Sequence, residues 1–197
     1  TGRIEAVLGR RSVEAVQLAS GQRIEADAVL VSGGHTPTVH LYCQAQGKLR
    51  WDDGIQGFVP DRRVAGMTVV GAAAGRFDLA GVMADAAQAA GGTPPAAEAP
   101  DWPLRIEADW PVPKAKGRIW LDLQNDVTAK DVELAARENF TSVEHLKRYT
   151  TLGMANDQGK TSNLPGLALM AQLTGRSIPD IGTTTYRPPF VPIPLPS

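Results

Sequence analysis

The sequence predicts an α/β part, built from a β-meander and the closing strands of a larger sheet, followed by a small all-α domain. Three observations carry this. Short alternating segments separated by turn residues fill the first 26 positions. The continuous apolar run Ala28-Val29-Leu30-Val31 then reads as a strand buried on both faces, as in parallel sheets. Beyond residue 117, apolar residues recur at helical spacing behind capping residues.

The elements follow in order. Arg3 to Leu8 alternates and turns at Gly9-Arg10-Arg11; Val13 to Leu18 alternates and turns at Ala19-Ser20-Gly21-Gln22; Arg23 to Ala26 is a short third strand. After the buried run comes Ser32-Gly33-Gly34-His35-Thr36-Pro37. It reads either as a tight turn into a helix beginning at Pro37 or as a close approach of backbone to a ligand at a strand end. Asp52-Asp53-Gly54 is a turn. Met67-Thr68-Val69-Val70 is a short apolar strand, Gly71 to Gly75 its small-residue loop, and Leu79 to Ala90 an Ala-rich helix.

Residues 92–117 hold six prolines, Pro94, Pro95, Pro100, Pro103, Pro111 and Pro113, and read as a semi-rigid linker that Trp102 and Trp110 can anchor. Residues 118–182 read as a helical domain. Thr128-Ala129-Lys130-Asp131 is a capping-box variant that sets Val132, Ala135, Ala136 and Phe140 on one face. Thr141-Ser142-Val143-Glu144 starts a second helix. A third opens near Ser162, tolerates Pro165 in its first turn and ends at Gly175. The proline-rich tail, 183–197, reads as an extended connector. The domain reading is therefore 1–91, 92–117, 118–182 and 183–197.

Composition narrows the function. With 20 Lys+Arg against 21 Asp+Glu, the net charge of −1 gives no electrostatic case for nucleic acid or a membrane surface. The longest weakly polar stretch, Val64 to Gly92, is interrupted by Arg76, Asp78 and Asp85 and is no membrane span. Cys43, the single cysteine, rules out an internal disulfide framework or an all-cysteine metal site, and a reducing, cytoplasmic setting is expected. The chain opens without Met, directly into strand pattern, and is expected to be part of a longer chain.

The loop Gly153 to Asn163 is the most informative segment. It lies between two predicted helices and ends at a helix N-terminus, where backbone N–H groups, Gln158, Gly159, Lys160 and Thr161 could hold an anion. The plain alternative is a helix–helix turn capped by Thr161 or Ser162. Gly159-Lys160-Thr161 is no P-loop: five residues separate Gly153 from Gly159, and no strand precedes them. Lys160 is expected to be solvated in the isolated helical module. His35, His40 and His145 stand alone, without metal-ligand spacing, and no G-x-G-x-x-G fingerprint occurs.

Long stretches resemble the alpha subunit of heterotetrameric sarcosine oxidase: Val31 to Leu41, Gly47 to Asp52, Leu121 to Ala135, Ser142 to Thr151, the Gly153–Asn163 loop and Gly182 to Pro189. The resemblance implies an oxidoreductase subunit. The complex would oxidise sarcosine to glycine, pass the one-carbon unit to tetrahydrofolate and produce hydrogen peroxide. It also implies beta, gamma and delta partner subunits, FAD in beta, FMN between alpha and beta, and NAD on alpha. Residues 1–91 would then be the C-terminal part of a dinucleotide-binding domain, with Gly33, Gly34, Gly71 and Ala72 on NAD. Ala72 stands where flavin-binding relatives of this architecture carry Asp, which favours NAD over FAD there. Gln158, Gly159, Lys160 and Thr161 would meet the FMN phosphate, and residues 183–197 would lead into a folate-binding domain.

The helical domain also resembles the bacterioferritin-associated ferredoxin domain, a two-iron cluster scaffold. Asp122, Gln124, Asp157 and Ser162 fall at its four cysteine positions, so no iron–sulfur cluster is expected. The alternatives are the alpha subunit of a related amine or opine oxidase, or a non-catalytic subunit-docking module.

Overall fold

Alternation and turn chemistry shape the N-terminal part of the chain. A computed structural model describes residues 2–31, 33–98, 106, 108 and 117–188. Strands β1 (Ile4–Leu8), β2 (Ala15–Leu18) and β3 (Arg23–Glu25) form the expected antiparallel meander in that order. Val7, Val16 and Ile24 stand side by side across it. Val16 is buried, while Val7 and Ile24 stay about half exposed at 52% and 43%.

The next apolar run departs from expectation. Ala28 to Val31 forms no strand, and Leu30 and Val31 are 97% and 87% exposed. A strand exists only through its neighbours, and none of the described strands pairs with this segment. The same reason applies to Met67–Val70, which makes only a single bridge, Val64 to Met67. The helix expected at Pro37 begins three residues later, as α1 (His40–Gln44), and Gly71–Ala74 winds into a 3₁₀ turn.

Between α1 and that turn lies a hairpin that the sequence reading reduced to its bend. Strands β4 (Leu49–Asp52) and β5 (Gly57–Pro60) pair antiparallel, with Trp51 opposite Phe58. Asp52 Oδ1 accepts from Gly54 N at 3.0 Å, and Trp51 Nε1 donates to Asp53 at 2.8 Å, so the acidic pair closes the turn from both sides. Gly75 and Phe77 bring the 3₁₀ segment back onto this part. A Cβ on Gly75 would stand 2.7 Å from Val59, and Phe77 stacks on His35 with centroids 5.4 Å apart. Helix α2 (Leu79–Ala90) has the bounds read from the sequence, with Asp78 capping Gly81 N and Gly91 left-handed at its end.

Strands β6 (Trp120–Asp122) and β7 (Val127–Thr128) form a short hairpin ahead of α3 (Ala129–Arg137), α4 (Val143–Thr150), α5 (Asn163–Thr174) and α6 (Ile178–Ile181). The capping box at Thr128, the Ser142 cap and the Gly175 terminus stand where they were expected. Val132, Ala135, Leu146, Leu167 and Met170 make the centre of the helical core, and Phe58 of β5 packs against it. This reproduces the expected order, an α/β part followed by a helical one. Trp102, Trp110, the prolines from Pro100 to Pro113 and the tail beyond Pro188 lie outside the described residues. No helix among the described residues is long and apolar enough to cross a membrane.

Candidate functional site

The β6–β7 turn delivers a buried carboxylate to the foot of the Gly153–Asn163 loop. Asp122 is 3% exposed. Its Oδ1 accepts from the backbone N–H groups of Gln124 and Asn125 at 2.9 and 3.1 Å. Its Oδ2 accepts from Gly153 N at 2.9 Å, with the Ser162 hydroxyl at 3.5 Å. Three of the four positions aligned with cluster cysteines, Asp122, Gln124 and Ser162, therefore meet through one carboxylate. The fourth, Asp157, lies within the loop and bonds elsewhere.

The loop itself is built around a side chain that the sequence reading passed over. Asn163 opens α5 and is buried. Its Nδ2 donates to Gln158 O at 3.3 Å and to Thr184 Oγ1 at 3.0 Å, and its N–H donates to Gly159 O at 3.0 Å. The amide fills the space where a Cβ on Gly153 or on Gly159 would stand. Both glycines have left-handed φ, as does Gln158 between them. The glycines thus serve close packing inside the loop.

Asp157 takes two of the groups expected to hold an anion. Its Oδ1 accepts from Gly159 N at 3.2 Å and its Oδ2 from Thr161 Oγ1 at 3.3 Å. Two of the loop's donors thus already converge on the two oxygens of one anionic group.

Lys160 is half-buried in the whole chain. It lines a narrow cleft with Thr36, Pro37, Gly159, Thr183 and Tyr186, where the segment before α1, the loop and the chain beyond α6 meet. His40 of α1 lies against Tyr186 with ring centroids 3.7 Å apart. Burial, and then the nearby Lys160 charge, hold the His40 imidazole down at about 4. Burial raises the Tyr186 hydroxyl, against a hydrogen bond from Asn163. The Cys43 thiol is also raised by burial, opposed by Lys48; this half-buried cysteine is not an activated nucleophile.

The four glycine-loop positions are less concentrated. Gly33 and Ala72 are exposed. A Cβ on Gly34 would stand 2.7 Å from Ile106, and one on Gly71 3.3 Å from Val82 of α2. The His35–Phe77 stack ties the two segments together. A separate cleft of about 710 Å³ opens between Arg62, Arg63, Met67–Val70 and the α2 residues Asp85 and Gln88. His145 is exposed on α4 and its ring meets Phe140 edge-on. No group of three His, Cys, Asp or Glu that could hold a metal occurs among the described residues.

Comparison with known proteins gives this geometry a context. The chain is 39% and 40% identical to sarcosine oxidase alpha subunits of Corynebacterium sp. strains P-1 and U-96, over 98% of its length, and 35% identical to that of Rhizobium meliloti strain 1021 over 94%. All three of these relatives are sarcosine oxidase alpha subunits. Residues 116–197 match the sarcosine oxidase A3 domain, which includes β6, β7, the four C-terminal helices and the Gly153–Asn163 loop. The chain spans about a fifth of the length of these relatives, 20–22%. It also shares its fold with L-proline dehydrogenase from P. horikoshii, with a TM-score of 0.72 and 23% identity, covering 98% of this chain and 43% of that one. The resemblance to sarcosine oxidase alpha subunits read from the sequence therefore holds along nearly the whole chain.

Proposed function

We propose that the chain is part of the alpha subunit of a sarcosine oxidase complex. In that reading sarcosine, oxygen and tetrahydrofolate give glycine, hydrogen peroxide and 5,10-methylenetetrahydrofolate. Sarcosine oxidation and folate transfer belong to other parts of the assembly. This region contributes to NAD binding and to an FMN site shared with the beta subunit, in an assembly that also holds gamma and delta subunits. The observation that carries the reading is 35–40% identity with three alpha subunits along 94–98% of the chain.

The FMN assignment to Gln158, Gly159, Lys160 and Thr161 draws support from the donor set. Gly159 N and Thr161 Oγ1 converge on the carboxylate of Asp157 as they would on two oxygens of a phosphate monoester, and Lys160 adds a positive charge in the adjoining cleft. The fit to NAD is poorer. Gly71 is buried against Val82, and Ile106 crowds one side of Gly34, which leaves Gly33, Ala72 and the open side of Gly34 as the accessible contacts.

The test uses the full-length complex. Sarcosine-dependent peroxide release, with bound FMN and NAD found by extraction, is the expected result. Oxidation of other secondary amines or opines but not sarcosine would redirect the reading to a related oxidase, and no oxidase activity with intact assembly would redirect it to a docking module. Lys160→Ala removes a charge-assisted contact worth roughly 1.5–3 kcal/mol, so FMN retention should fall by one to two decades.

A further inference from the structure

Asp122 divides its two carboxylate oxygens between two tasks. Oδ1 holds the turn of its own hairpin through Gln124 N and Asn125 N. Oδ2 reaches residues 31 and 40 positions away, Gly153 N at 2.9 Å and, more loosely, Ser162 Oγ at 3.5 Å. Those residues flank Gln158–Thr161: Gly153 opens the loop and Ser162 is the residue immediately before α5. A single buried anion therefore closes the loop at its base and fixes where the loop leaves one helix and enters the next. Asn125 reinforces the same side, its Nδ2 donating to Thr151 O at 2.9 Å, just before the loop.

We propose that Asp122 is the positioning residue of the flavin-phosphate loop, a carboxylate clamp that fixes Gly159, Lys160 and Thr161 by holding both ends of their segment. The proposal rests on the FMN reading above. A carboxylate suits the task because it is an acceptor only, with two oxygens for four donors. Asparagine offers one acceptor oxygen, so two of the four donors are left facing an NH₂ group. Ser162→Ala removes a single loop-side donor and leaves the hairpin turn intact.

The experiment uses the assembled complex with FMN bound, and compares Asp122→Asn, Ser162→Ala and Lys160→Ala with wild type. Two readouts are taken beside the melting temperature: the rate at which FMN is released or incorporated, followed by flavin fluorescence, and the ³¹P resonance of the bound phosphate. Loss of a buried partner should change the FMN rate roughly tenfold in Asp122→Asn, and less in Ser162→Ala. The ³¹P resonance should move toward that of free FMN in both. A role confined to stability would lower the melting temperature and leave the phosphate signal in place. The clamp is overturned if Lys160→Ala loses FMN while both other variants keep the wild-type rate and resonance; should Asp122→Asn fail to assemble, Ser162→Ala decides alone. If all three leave the phosphate resonance unmoved, the loop does not hold FMN, and the reading on which the clamp rests falls with it.

Discussion

The side chain of Asn163 occupies the space that a Cβ on Gly159 would need, and at the same time its amide donates to Gln158 O and Thr184 Oγ1. Gly159 also has φ +72°. Gly159→Ala therefore meets left-handed strain of about 1–2 kcal/mol and crowding against a buried, hydrogen-bonded amide worth about 1–3 kcal/mol more. Urea unfolding should show a loss of roughly 2–5 kcal/mol. Because the crowding part belongs to Asn163, adding Asn163→Ala should recover some of the loss, and purely additive effects would show that the two do not touch.

Helix α3 offers a simpler test. Thr128 N and Thr128 Oγ1 both donate to Asp131 Oδ2, at 2.8 and 2.7 Å. The Thr128 hydroxyl and then the Thr128 backbone N–H hold the Asp131 carboxyl below its ordinary value of 3.8. A carboxyl lowered on folding contributes stability that is present above its ordinary value and is lost as pH falls through its folded value. Asp131→Ala should cost about 1 kcal/mol at pH 7. The gap between variant and wild type should close as the pH drops below 3.8. A gap of unchanged size under those conditions would mean that the charge plays no part.

What the sequence disclosed follows the range of each interaction. Helices α2, α3, α4 and α5 were legible because their signals are local: Asp78, Thr128 and Ser142 before the first turn, Gly91 and Gly175 after the last. Ala28–Val31 carries an equally clear pattern, yet a strand needs a neighbour, and the described chain supplies none. The β4–β5 hairpin was missed although Asp52-Asp53-Gly54 was read as a turn: Leu49–Asp52 alternates, but over four residues only, and its partner sets Phe58 and Val59 side by side between Gly57 and Pro60, with no alternation to mark it. The candidate site divides in the same way. Gly159 and Lys160 stand out in a loop before a helix. The partners that shape the loop, Asp122, Thr184, Tyr186 and His40, approach it from 21 or more residues away and leave no trace in local pattern.

Phe58 connects the two parts of the chain. It pairs with Trp51 across the β4–β5 hairpin, the rings meeting edge to face at 5.1 Å, and packs against the helical core. Truncating a partly buried aromatic forfeits less than the 3–5 kcal/mol of a fully buried one, so Phe58→Ala should cost about 2 kcal/mol. Trp51 lies close enough to report on it, and its fluorescence should shift to the red in the folded variant. An unshifted spectrum with unchanged stability would remove Phe58 from the contact between the hairpin and the helices.

His40 makes the strongest prediction about pH. The imidazole is buried against Tyr186, and burial first, then the Lys160 charge, hold it down at about 4, against an ordinary value of 6.5. The folded protein thus binds the proton more weakly than the unfolded chain. Stability from this residue is complete above pH 6.5 and is lost progressively as pH falls from there to about 4. The gap sets a ceiling of about 3 kcal/mol on the effect. His40→Phe keeps a ring against Tyr186 and removes the titration, so its stability should fall less steeply than that of wild type across the same interval. Lys160→Met isolates the second cause: the His40 titration followed by NMR should move upward, but only part of the way, because burial is the larger contribution. A wild-type His40 titrating at its ordinary value would place the ring in solvent, and would separate α1 from both Tyr186 and the lysine of the loop.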